Sequence, residues 1–150
     1  MKTQNESIRT KAQETFEKHL EYLSTGNISA WMALWNEGGV LEFPFGLKEY
    51  PAQVSGNEAI HEYIRHFPNY LKIEFTKPTY HLTEDPNLVI AEFKGFGKMV
   101  TNGRPYNQTY ISVVKTTNGK IDSYKDFWNP LVLQTALGEN NKYDGATANM

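Results

Sequence analysis

The chain has 150 residues, 39% of them hydrophobic and 21% charged, which suits one folded domain with its own core and excludes a disordered tract. Its net charge is −2 and its Lys and Arg residues are scattered, which argues against a nucleic-acid surface, where clustered cations must neutralise phosphates. Without cysteine it has no disulfide framework, thiolate nucleophile or Cys metal site; with a polar start and no apolar run long enough to span a bilayer, a cytoplasmic location is expected.

Ile8, Ala12, Phe16, Leu20 and Leu23 recur at helical spacing and Gly26 stops the run, which predicts a first helix. A short second helix is expected over 28–35, with Trp31, Leu34 and Trp35 on one face, broken by Gly38 and Gly39. Residues 40–45 read as an alternating strand. Ser55 and Glu58 have the spacing of a capping box and open a third helix whose stripe is Ile60, Tyr63, Ile64 and Phe67, with Pro68 ending it.

Everything after Pro68 reads as sheet. Leu71, Ile73 and Phe75 alternate with polar residues, and 88–101, 106–116 and 121–128 are strand-like segments joined by short turns at 102–105 and 118–119. Four strands so connected form an antiparallel meander. Gly95 and Gly97 sit mid-strand, where they let the strand bend or let another group come close. Residues 131–137 supply one or two helical turns, and 139–150 are expected to be a mobile polar tail on a single domain spanning 1–138. The fold class is therefore α+β: a strongly bent antiparallel sheet closed into a cone-shaped barrel (a cystatin-like roll), with three helices from the N-terminal half enclosing a pocket.

This order resembles the nuclear-transport-factor-two-like fold. Asn118-Gly119-Lys120-Ile121, then Lys125-Asp126-Phe127-Trp128-Asn129-Pro130-Leu131 and Ala136-Leu137-Gly138, resemble the end of SnoaL-like domains, most nearly the PhzA/PhzB phenazine-biosynthesis branch. Phe67-Pro68 and Glu92 before a Gly-rich strand fit the same pattern. The resemblance runs from the first helix to Gly138. It implies a conical fold, usually dimeric, in a family of isomerases, cyclases, dehydratases, hydrolases and proteins without known activity, so it does not choose a reaction.

Asp126 is the first catalytic candidate. Alternation puts Tyr124, Asp126 and Trp128 on one strand face, and a carboxyl among aromatic neighbours is desolvated if that face lines the pocket, which raises its pKa toward acid–base use. The PhzA/PhzB resemblance implies a proton donor at this position, with Asp here where that branch has Glu. The competing expectation is a carboxylate paired with a cation or a helix end. His66 is the second catalytic candidate; the branch has a histidine on the third helix, and whether His61 or His66 answers to it stays open, as does a solvated role for both. None of the four histidines forms a metal-ligand spacing, so neither metal nor cofactor is expected.

Trp128, Tyr110, Trp35, Tyr63 and Phe43 are candidate ligand-binding walls, each weighed against ordinary core packing, and Glu92 is a second carboxylate whose strand parity, shared with Lys94 and Lys98, also fits a wet face. The expected partner is a small hydrophobic or aromatic molecule. Three functions remain open: acid–base catalysis, ligand binding without turnover, and a structural homodimer through the outer sheet face around Ile111 and Val113.

Overall fold

The computed structural model describes residues 3–138, so the expected tail at 139–150 lies outside the described residues. Helix α1 (Gln4–Thr25) buries Ala12, Phe16 and Leu20 along one stripe, together with Thr15 and His19. The capping box of the chain is here: Thr3 accepts from the Glu6 backbone while the Glu6 side chain accepts from the Thr3 N–H. Helix α2 (Ile28–Met32) is shorter than the sequence suggests, and strand β1 (Trp35–Glu42) begins where a helix was expected to end.

The reason lies in the two glycines. Gly38 has φ 78°, and a Cβ on Gly39 would stand 2.5 Å from the Trp35 ring. The pair therefore forms an irregularity inside a strand, between Trp35 and Val40, and does not break it.

Strand β2 (Gln53–Ser55) pairs with β1 and precedes α3 (Asn57–Ile64). Ser55 is held in that pairing and its hydroxyl accepts from Gln53, so Gly56 takes the N-cap position of α3 with no side-chain bond. The expected capping box at 55–58 does not form. A single helical turn, α4 (Phe67–Tyr70), follows at the point where the sequence suggested sheet; Pro68 sits in its first turn, where a missing N–H costs nothing.

Strands β3 (Leu71–Phe75), β4 (Thr79–Tyr80), β5 (Leu88–Met99), β6 (Pro105–Thr117) and β7 (Lys120–Trp128) complete the sheet, and α5 (Pro130–Leu137) closes the described chain. The strand order is β2-β1-β7-β6-β5-β3, with β4 also on β5. The expected four-stranded meander is present as β3, β5, β6 and β7, all antiparallel. The sheet is not wholly antiparallel, however, because β1 runs parallel to β7. It curves without closing, leaving β2 and β3 as edges.

Close approach accounts for Gly95: a Cβ there would lie 2.6 Å from Ile73 Cδ1 and 3.0 Å from the Tyr110 ring. Helix α5 is tied to the β5–β6 turn, since Asn102 donates to the Ala136 carbonyl at 2.8 Å and Arg104 to that of Thr135 at 2.9 Å. These bonds satisfy carbonyls that a helix end leaves open.

Candidate functional site

Between the inner face of the sheet and the helices lies a cavity of about 150 Å³. Strand alternation builds its floor. On β6, Tyr106, Gln108, Tyr110 and Ser112 all point inward and are buried. On β7, Tyr124, Asp126 and Trp128 line the cavity, with Ser112 opposite Asp126 and Tyr110 opposite Trp128 in the strand register. The helices add His19 and Leu23 from α1, Tyr63 and Ile64 from α3, and Leu133 and Leu137 from α5. Gln108 fixes the junction of β7 and α5 by donating to the Asn129 carbonyl at 3.0 Å and accepting from the Asn129 N–H at 2.9 Å.

Among the described residues Asp126 is the carboxyl that lines the cavity. The residue is partly buried and lines the cavity, while its Oδ1 atom is sealed and has no hydrogen-bond partner. Burial pushes its carboxyl up to about 7, and a hydrogen bond from the Trp128 side chain opposes this only in part. Near neutral pH the group can therefore both give and take a proton.

A second polar feature runs alongside it. The Trp31 indole donates to His19 Nδ1 at 2.8 Å, and indole nitrogen is a donor only. His19 therefore carries its proton on Nε2, which donates to the Tyr124 hydroxyl at 3.0 Å. Tyr124 and Ser112 share a further bond of 2.6 Å. Burial lowers the His19 pKa to about 3, so the imidazole is neutral with both nitrogens engaged. The Tyr110 and Tyr124 phenols are raised well above their ordinary value, chiefly by burial, and that of Tyr106 to about 12.

The structure brings together Asp126, Trp128, Tyr110, Tyr63 and Phe43 on the cavity wall. Phe43 packs on both Tyr63 and Trp128, with ring centroids 5.4 and 6.1 Å apart. Three other sequence candidates stand elsewhere. Trp35 is buried behind the wall against Trp31, its indole N–H without a partner. Glu92 faces outward and accepts from or pairs with His81 at 3.0 Å, as its parity with Lys94 and Lys98 allowed. His66 sits in the turn between α3 and α4 and does not line the cavity. Among the described residues no group of three His, Cys, Asp or Glu is placed to hold a metal ion.

Sequence reasoning passed over His19, Tyr106 and the contribution of α5. His19 carried a usable signal: it is a polar residue one turn beyond Phe16 on the stripe that the apolar residues define. Tyr106 shares parity with Tyr110 and was legible in the same way. The position of Leu133 and Leu137 depends on how α5 folds back over the sheet, which alternation does not encode.

The SnoaL-like domain family matches residues 16–124 of the chain. A PhzA/B-like protein of Pseudomonas aeruginosa, PA3332, is 39% identical over 127 residues, covering 85% of this chain and 90% of that protein. The protein YesE of Bacillus subtilis (strain 168) is 41% identical over 129 residues, covering 85% and 88%. A solved structure called "Putative Isomerase from Bacillus subtilis" superposes with a TM-score of 0.86 at 39% identity, covering 90% of this chain and 99% of that one.

Proposed function

The chain belongs to the SnoaL-like family, and from that premise we propose that it is an enzyme that moves protons on a small cyclic or aromatic substrate, as an isomerase, cyclase or dehydratase. Asp126 is the proton carrier. Trp128, Tyr110, Tyr63 and Phe43 hold the ring, and the neutral phenols of Tyr106 and Tyr110 are donors for charge that develops on a substrate oxygen. The observation that carries this reading is the buried carboxyl, unpartnered at Oδ1 and poised near neutrality, on the wall of an aromatic cavity. The isomerase name borne by the Bacillus subtilis structure agrees with it.

The test is exchange of ring C–H protons with solvent deuterium, followed by NMR on small cyclic ketones. The expected result is acceleration by the wild type and a loss of at least ~100-fold in Asp126→Asn, the usual worth of a general base. Exchange at the wild-type rate in the variant would end the role of Asp126.

One observation favours a second reading, in which the cavity binds without turnover. Neither His66 nor Glu92 lines the cavity beside Asp126, and both His19 nitrogens are already engaged. A ligand that binds but shows no exchange above buffer would support it. A homodimer through the outer sheet face belongs to the same proposal: Ile111 is exposed there, opposite Phe127, whose ring meets Phe45. A monomer in sedimentation at micromolar concentration would remove that part.

A further inference from the structure

We propose that the cavity selects uncharged single-ring compounds that offer a hydrogen bond to the Asp126 carboxyl, and that it excludes anions. The inference rests on the same cavity being the working site, but it does not need turnover.

Size sets the first limit. A cavity of about 150 Å³ with apolar walls takes one benzene-sized ring. The walls fit such a ring: Phe43, Tyr63, Met99, Trp128, Leu133 and Leu137 surround the space.

Charge sets the second. Among the described residues no Lys or Arg lines the cavity. His19 cannot supply a cation, because Trp31 occupies Nδ1 and Nε2 already donates to Tyr124. Tyr106 and Tyr110 from β6 and Tyr124 from β7 face the same carboxyl, and burial keeps all three phenols neutral well above pH 8. Tyr50, Tyr63 and Tyr70 line it from the β1–β2 connection, α3 and α4. A carboxylate or phosphate entering here would lose its water, find no counter-charge and meet an acidic side chain. A protonated amine would have Asp126 as partner only when that residue is ionised, and both ions would be desolvated. An uncharged ring avoids both costs, and a hydroxyl or N–H on it can bond the Asp126 carboxyl where that residue lines the cavity.

Three probes of nearly equal shape test this: benzyl alcohol, benzylammonium and benzoate, titrated by NMR into the wild type and Asp126→Asn at pH 6 and pH 8.5. Benzyl alcohol is expected to bind at least tenfold more tightly than benzoate at both values, with the gap widening at pH 8.5 in the wild type and not in Asp126→Asn. Benzylammonium is expected to gain at pH 8.5 in the wild type alone and to stay weaker than the alcohol. Leu133→Trp, which fills the cavity, is expected to weaken all three. Benzoate within threefold of the alcohol, benzylammonium as the tightest probe, or affinities unmoved by Leu133→Trp would each overturn the proposal. Loss of the exchange activity with this ranking intact sinks the acid–base reading alone, and an anion-preferring cavity with exchange intact sinks this inference alone.

Discussion

Two carboxylates on the same sheet, Asp126 on β7 and Glu92 on β5, have opposite surroundings. Glu92 lies on the solvent face beside His81, both side chains more than half exposed at 53% and 56%, so the pair is screened by water and worth at most about 1 kcal/mol. Asp126 lies on the cavity face among rings, its Oδ1 sealed, and its proton affinity is raised to about 7. The two side chains are chemically near-identical. Which face of the sheet each strand turns inward makes one an acid–base candidate and the other a surface charge.

The largest expected effect is on the buried member. Its folded pKa is raised above the unfolded value, so its neutral form stabilises the fold below about pH 4, and that contribution is lost as pH rises toward 7. Asp126→Asn should therefore gain on the wild type with rising pH, by up to about 4 kcal/mol at pH 8, as read from urea denaturation at several pH values. A stability difference that does not change with pH would mean that the carboxyl is solvated.

His19 carries the opposite sign, which sharpens the contrast between buried and exposed groups. Its folded pKa is depressed, so its contribution is present above about pH 6.5 and lost as pH falls toward 3. His19→Leu leaves the Trp31 indole N–H without its acceptor and the Tyr124 hydroxyl without the bond it accepts, and should cost about 2 to 3 kcal/mol at pH 7, with the deficit shrinking toward pH 4. Between about pH 4 and pH 6.5 the slopes of Asp126 and His19 oppose each other, so each variant should tilt the wild-type profile in its own direction.

Gly95→Ala tests whether the strand supporting the site needs its bare backbone. The new methyl meets Ile73 at 2.6 Å, and a loss of about 1 to 3 kcal/mol is expected in thermal or urea unfolding. Smallest of all, Glu92→Gln should change stability by less than about 0.5 kcal/mol and leave probe binding untouched. A larger effect would remove the contrast drawn between the two faces.

Much of this was legible because strand periodicity is local. The parity of Tyr124, Asp126 and Trp128 follows from residue spacing alone, and the register with β6 then sets Tyr110 and Ser112 opposite them. Where structure and expectation differ, a partner strand is the cause. Trp35 sits on the helical stripe with Trp31, but its backbone joins β7 in parallel and its ring folds against Gly39. The Ser55 motif has the spacing of a cap, yet its residue is claimed by β2.

By itself the sequence determined the α+β fold class, the antiparallel meander, and the acid set between aromatics on the last strand, because helical stripes, alternation and turn residues are encoded within a few positions. The parallel β1–β7 pairing, the neutral His19 held between Trp31 and Tyr124, and the roof that α5 lays over the cavity were decided by tertiary structure. These features join residues up to about a hundred positions apart, and the desolvation that turns Asp126 from a surface charge into an acid near neutrality exists only once those distant walls have met around it.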